Sequence, residues 1–129
     1  MTHQTPTLSL AGYVLDSPDP PKLAAFYARL LGWSITSQDP TWVQLRAPGG
    51  ARPALSVQLE PEYSPPTWPG RADQQLMMAH LDFEVDDLET AGAHALAAGA
   101  RLAEYQPQDK VRVYLDPDGH PFCLFIEGG

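Results

Sequence analysis

Two stretches of the chain share one local pattern. Leu10–Trp33 (LAGYVLDSPDPPKLAAFYARLLGW) runs from a β-rich segment through an Asp-led helix start to a helix closed by glycine, and Ala79–Ala100 (AHLDFEVDDLETAGAHALAAGA) does the same. The register is constant: Gly12 aligns with His80, Leu15 with Phe83 and Asp19 with Asp87, each 68 residues on. A repeat of this length is a folding unit, and one half alone cannot bury its apolar sheet face. The halves are therefore expected to form one pseudo-symmetric domain with a site between them. A chain of 129 residues has room for one such two-layered domain.

Each half reads as βαβββ. In the first, about residues 8–60, Asp19 is a good N-cap, and Pro20 and Pro21 fall where a missing N–H costs nothing. Leu23, Phe26, Tyr27, Leu30 and Leu31 then recur on one helical face, and Gly32 ends the helix. Strands are predicted at Leu8–Asp16, Trp33–Ser37, Trp42–Arg46 and Ala54–Leu59, divided by Asp39-Pro40 and Pro48-Gly49-Gly50. Residues 61–75 are rich in proline, lack apolar periodicity and read as a linker. The second half, 76–127, has strands at Met77–Val85, Arg101–Tyr105, Lys110–Leu115 and Phe122–Ile126, and a helix at Asp87–Ala98 closed by Gly99. The turn DPDGHP precedes its last strand. The expected fold class is α+β: two βαβββ modules pairing into a curved antiparallel sheet around a cleft, with the helices outside.

Alternation along the strands assigns faces. Leu81, Phe83, Val85, Phe122, Leu124, Leu55 and Val57 belong under the helices. Gly12, Val14, Asp16, Ser56, Gln58, His80, Asp82, Glu84, Cys123 and Phe125 belong to the cleft. A formal charge of −8 argues against nucleic acid or an anionic membrane as partner. No apolar run reaches the length of a membrane span, the N-terminus lacks a basic start followed by a hydrophobic stretch, and the single Cys123 suits a reducing compartment. A soluble, cytoplasmic protein is expected.

The segments DSPDPPKLAAFYARLLGW, HLDFEVDDLETAGAHALAAGA and DPDGHPFCLF, in this order, resemble the vicinal oxygen chelate superfamily (glyoxalase, bleomycin resistance protein, dioxygenase), in its glyoxalase-like branch. The resemblance spans Leu8 to Glu127. It implies four cleft positions that hold a divalent metal in catalytic members, on the first, fourth, fifth and eighth strands. Carried over, these fall on Gly12, Ser56, His80 and Cys123, so only His80 keeps an expected ligand. A site for a hard cation needs three or four N or O donors around an open position. The expectation is thus no metal and no other cofactor. If a divalent ion is held at all, a soft one on His80 with Cys123 and Gln58, Asp16 or Asp82 is the alternative.

A lone strand histidine is more often a hydrogen-bonded pocket residue than a ligand, so His80 is expected to touch a guest more readily than a metal. His80 and Asp82 are the candidates for acid–base catalysis, and no catalytic residue is assigned. Cys123, set between Phe122 and Leu124, reads as a packing residue rather than a nucleophile. His120 reads as a turn residue, and His94 and His3 as solvent-facing. Trp42, Tyr63, Trp68, Tyr105 and Phe125 are the aromatic candidates, with Trp68 on the proline-rich linker over the cleft mouth or at a subunit contact. Arg46, Lys110 and Arg112 border the cleft or simply protect strand edges. The expected ligand-binding set is Gly12, Trp42, Ser56, Gln58, Trp68, His80, Cys123 and Phe125. The function implied is small-molecule binding without a complete metal site, by a homodimer. The alternative is a lyase, isomerase or dioxygenase, metal-dependent or metal-free, acting on a small metabolite.

Overall fold

The computed structural model describes residues 5–128, and His3 lies outside them. The elements follow in chain order as β1 (Gly12–Ser17), α1 (Pro20–Leu31), β2 (Ser34–Asp39), β3 (Trp42–Arg46), β4 (Ala54–Leu59), β5 (Leu81–Glu84), α2 (Leu88–Ala98), β6 (Arg101–Leu102), β7 (Val111–Leu115) and β8 (Pro121–Phe125). They form two four-stranded sheets of like topology, β1-β4-β3-β2 and β5-β8-β7-β6. This is the repeated βαβββ of the sequence. No helix among the described residues is long and apolar enough to cross a membrane.

Both helices begin and end where their caps dictate. The Asp19 carboxylate accepts from the Lys22 backbone N–H at 3.4 Å, and Gly32, at φ 68°, turns the chain out of α1 while its N–H reaches the Ala28 carbonyl. Asp87 does the same for α2 through the Thr90 N–H at 2.8 Å. The apolar face of α1 buries Leu23, Ala24, Phe26 and Tyr27 completely or nearly so. These side chains meet Val43, Leu45, Leu55 and Val57 of the first sheet and Phe122 and Leu124 of the second in one continuous core. Phe122 lies at its centre, with ring centroids 6.1 Å from Phe26, 6.4 Å from Tyr27, 5.9 Å from Phe83 and 5.8 Å from Tyr114. The halves are therefore fused through aromatic packing on the helix side.

Three features depart from the sequence reading. The outer pairs β1–β4 and β5–β8 are parallel, so each sheet is mixed rather than antiparallel throughout. The helix between the first strand and its sheet partner carries the chain back to the same end, which leaves only a parallel pairing. The sheets are also not joined by strand pairing, since β1 and β5 are both edge strands. Finally, β5 and β6 are short. β5 pairs only with β8, from Leu81↔Phe122 to Glu84↔Phe125, so residues 77–80 have no ladder to join. β6 stops at Leu102 because Gln106 takes over its role, with its amide bonding the Ala103 and Val113 carbonyls at 2.8 and 2.9 Å and its oxygen accepting from the Val113 N–H at 2.8 Å.

Candidate functional site

Strand register fixes which side chains share a face. In the second sheet Asp82 lies beside Cys123, Glu84 beside Phe125, and Val113 and Val111 continue the row on β7. The opposite face carries Leu81, Phe83, Phe122 and Leu124, packed in or against the core. The alternation read from the sequence thus holds on this sheet.

On that face His80, Asp82 and Cys123 form a compact polar cluster whose ligand atoms all lie within 4.8 Å of one another. Imidazole Nε2 of His80 meets Oδ1 of Asp82 at 2.9 Å, with both side chains well exposed. Together with Gln108, Val111 and Phe125 they line an open hollow of about 310 Å3. The Cys123 thiol is half-buried, and burial, then the charge and hydrogen bond of Asp82, push it up to about 11. Such a thiol is protonated at neutral pH, the reverse of what a cysteine nucleophile requires.

The first sheet does not complete this hollow. Gly12, Val14 and Asp16 share a face with Ala54, Ser56 and Gln58, as parity requires. Trp42 sits beside Gln58. None of these lines the hollow at Cys123. Gln58 instead donates through Nε2 to Asp16 at 2.7 Å. It is therefore not the third member of the His80–Cys123 set; Asp82, from the next position on β5's cleft face, takes that place. Ser56 is almost fully buried. Gly12 has no room for a side chain, because a Cβ there would lie 2.8 Å from the Ala54 carbonyl oxygen of the paired strand. Of the two first-sheet positions that the resemblance assigns to a metal, Gly12 thus carries no side chain and is hemmed in by backbone, and Ser56 is almost fully buried.

The aromatic candidates separate. Phe125 joins the hollow. Trp68 is turned to module two, its Nε1 donating to the Tyr105 carbonyl at 3.1 Å and its ring 5.8 Å from that of Tyr105. The Tyr63 ring lies tilted against that of His120, centroids 5.2 Å apart, and its hydroxyl donates to the Asp118 carbonyl at 2.8 Å. His94 is exposed, yet its Nε2 lies 2.9 Å from the Leu30 carbonyl of α1.

His120 proves to be far more than a turn residue. Asp116 is completely buried and collects four donors: Tyr27 Oη at 2.7 Å, His120 Nδ1 at 2.8 Å, and the backbone N–H groups of Asp118 and His120 at 3.0 Å. Ser17 at the end of β1 donates to Asp118 and accepts from Asp19 N–H, which ties the turn to the start of α1. Burial alone would lower the His120 pKa. The hydrogen bond and charge of Asp116, aided by Asp118 and by a hydrogen bond to the Asp16 backbone, raise it instead. Desolvation first, and Asp116 second, hold Tyr27 well above the usual phenol value, so its hydroxyl remains a donor. The sequence signal for this knot was the Asp116–His120 spacing inside DPDGHP, but its buried partner Tyr27 is 89 residues away. A larger hollow, about 500 Å3, lies beside it between Val14, Asp16, Tyr63, Met77 and His120. The His120 ring is engaged with Asp116 and offers that hollow no free base.

Among solved structures, the chain is similar to a glyoxalase/bleomycin resistance protein/dioxygenase family enzyme from Burkholderia phytofirmans PsJN, at 19% identity over 92% of this chain and 98% of that one, with a TM-score of 0.68. It is similar to a glyoxalase-related enzyme from Fulvimarina pelagi at 19% identity, covering 94% and 89% of the two chains, TM-score 0.66. A possible glyoxalase from Bacillus cereus matches at 12% identity over 92% and 99%, also with a TM-score of 0.66. At these identities the likeness is one of fold. No curated protein matches the chain. The profile of the glyoxalase-like domain family matches residues 12–125, from the first residue of β1 to the last of β8. With the doubled βαβββ topology and that match, the chain belongs to the glyoxalase-like domain family of the vicinal oxygen chelate superfamily.

Proposed function

We propose that this domain binds an organic small molecule beside the His80–Asp82 pair, without a four-ligand metal centre. The observation that carries this reading is the backbone at Gly12: with the Ala54 carbonyl 2.8 Å from any Cβ, the first-strand ligand position cannot be filled. The pair of polar groups set in a wall of Val111, Phe125 and Cys123 suits the usual make-up of ligand pockets, mostly apolar with a few oriented polar groups. Binding is proposed to take place in the cytoplasm and in a homodimer. In support of the dimer, Leu8 and Leu10 before β1, Tyr13 and Val14 on it, and Leu76 and Met78 before β5 are exposed.

A second reading rests on the clustering of His80, Asp82 and Cys123 within 4.8 Å. Imidazole, carboxylate and thiolate together suit a thiophilic ion such as zinc, with a fourth position open, as in a metal-dependent lyase or isomerase. Elemental analysis of protein purified without chelator, beside His80→Ala, separates the two. The first reading expects no stoichiometric metal in either protein. Stoichiometric zinc lost in the variant establishes the second. A thermal-shift screen of organic compounds then tests binding directly: compounds that stabilise the wild type must lose their effect in His80→Ala.

A further inference from the structure

The hollow of about 500 Å3 beside His120 shares no lining residue with the one at the His80–Asp82 pair. The proline-rich linker builds much of it, and that linker is tied down along its length. Glu60 N–H donates to the Ser17 carbonyl at 2.9 Å, the Tyr63 hydroxyl to the Asp118 carbonyl at 2.8 Å, and Thr67 N–H to the Gln75 carbonyl at 2.8 Å, beside an isolated parallel bridge from Thr67 to Leu76. The linker is therefore a fixed wall facing β1. Two features of the lining are independent of each other. Val14, Leu76 and Met78 leave apolar surface exposed at this concave space, with Met77 beside them. Asp16, Glu60 and Glu62 supply three carboxylates. We propose that the linker hollow is a second binding site, and that its ligand is an amphiphilic organic cation whose apolar body lies on Val14, Leu76, Met77 and Met78 and whose ammonium end lies among Asp16, Glu60 and Glu62. This site is separate from the His80–Asp82 hollow and does not rest on the reading given to that pair.

The sign of the charge follows from the partners present. Asp16 accepts from the Gln58 amide at 2.7 Å and Glu60 from the Glu62 backbone N–H at 3.0 Å, both neutral donors. None of the three carboxylates has an ion pair among the described residues. No lysine or arginine lines the hollow, and His120 is already bonded to Asp116, so an anion would meet repulsion and no free cation. The Asp16 charge also reaches across to Tyr63, whose phenol is held above its ordinary value by burial first and then by Asp116, Asp118 and Asp16. The form of the cation follows from spacing. Among the described residues only His80, Asp82 and Cys123 converge closely enough to chelate a metal, so the carboxylates here are spread too far apart for a compact ion. A diffuse organic cation suits spread charges, and its body covers the apolar wall, to which the two methionines can adapt their shape. The volume lies within the range of small-molecule pockets, roughly 300–1,000 Å3.

Calorimetric titration of the full chain at neutral pH and low salt with octyltrimethylammonium, octanol, octanoate and tetramethylammonium tests this. Octyltrimethylammonium is expected to bind at least about tenfold more tightly than each of the other three, which lack the charge, reverse it or lack the body. Asp16→Asn and Glu62→Gln should each weaken it about two- to fivefold and leave octanol unchanged. Glu89→Gln, which removes the same charge from α2 outside the hollow, should change neither. Met78→Ser should weaken octyltrimethylammonium and octanol alike. Asp16, Glu62, Met78 and Glu89 are all exposed, so these variants fold. Equal affinities for octyltrimethylammonium and any of the other three, a loss in Glu89→Gln as large as in Asp16→Asn or Glu62→Gln, no loss in Met78→Ser, or no binding of octyltrimethylammonium at all each overturn the proposal. None of these results bears on the His80–Asp82 site, which stands or falls with the His80-dependent thermal shifts.

Discussion

Replacing Tyr27 by phenylalanine removes one oxygen from the most buried polar site of the molecule. Tyr27 is 1% exposed and its acceptor Asp116 0% exposed, and the hydroxyl lies 2.7 Å from the carboxylate. No water can take its place without a cavity, so Asp116 keeps three donors where it had four. A hydrogen bond to a charged group contributes about 1.5–3 kcal/mol. For a domain of this size, that corresponds to a fall in Tm of roughly 5–12 °C. The same perturbation has a pH signature. The folded-state pKa of His120 is raised by Asp116 against the effect of burial. Its contribution to stability is therefore fully present below the unfolded value of about 6.5, and is lost as pH rises through the folded value. With the Tyr27 donor gone, Asp116 leans harder on the imidazolium, and the alkaline loss should move to higher pH. Urea denaturation at a series of pH values from acid to alkaline, for wild type, Tyr27→Phe and His120→Gln, measures both effects. Wild-type stability should decline on the alkaline side, and His120→Gln should flatten that decline. A Tyr27→Phe cost below about 0.5 kcal/mol, in the range of ordinary surface substitutions, would refute the reasoning. So would a wild-type stability that climbs through the same alkaline window.

Gly12→Ala should cost about 1–3 kcal/mol in urea denaturation, because the added methyl meets the Ala54 carbonyl oxygen, a backbone atom held by the β1–β4 ladder. Gly12→His should for the same reason confer no manganese binding by calorimetry. Phe122→Ala removes the ring on which four other aromatics converge and should cost about 3–5 kcal/mol, visible as a large drop in Tm. Cys123 should react sluggishly with a disulfide reagent at pH 8, since a thiol pushed up to about 11 is ionised in only about one molecule in a thousand there. Asp82→Asn, which removes the neighbouring charge, should quicken that reaction.

The amino-acid sequence by itself determined everything that local rules govern. The repeat, the helix boundaries at Asp19, Gly32, Asp87 and Gly99, and the faces of Leu81, Asp82, Phe83, Phe122 and Cys123 all depend on neighbours within a few residues. Helical and strand periods carry that information directly. Strand ends were less legible, because β5 extends only as far as β8 offers partners. Tertiary structure alone decided what depends on distant pairing. Alternation says that Gln58 and Asp82 both leave the core side. It cannot say that Gln58 closes on Asp16 in one sheet while Asp82 joins His80 and Cys123 in the other. Nor can spacing reveal that Asp116 awaits Tyr27, or that a carbonyl of β4 occupies the space beside Gly12. The physical reason is the same in each case: a side chain's face is set by its own backbone, whereas its partner is set by whichever remote segment packing brings within a few ångströms.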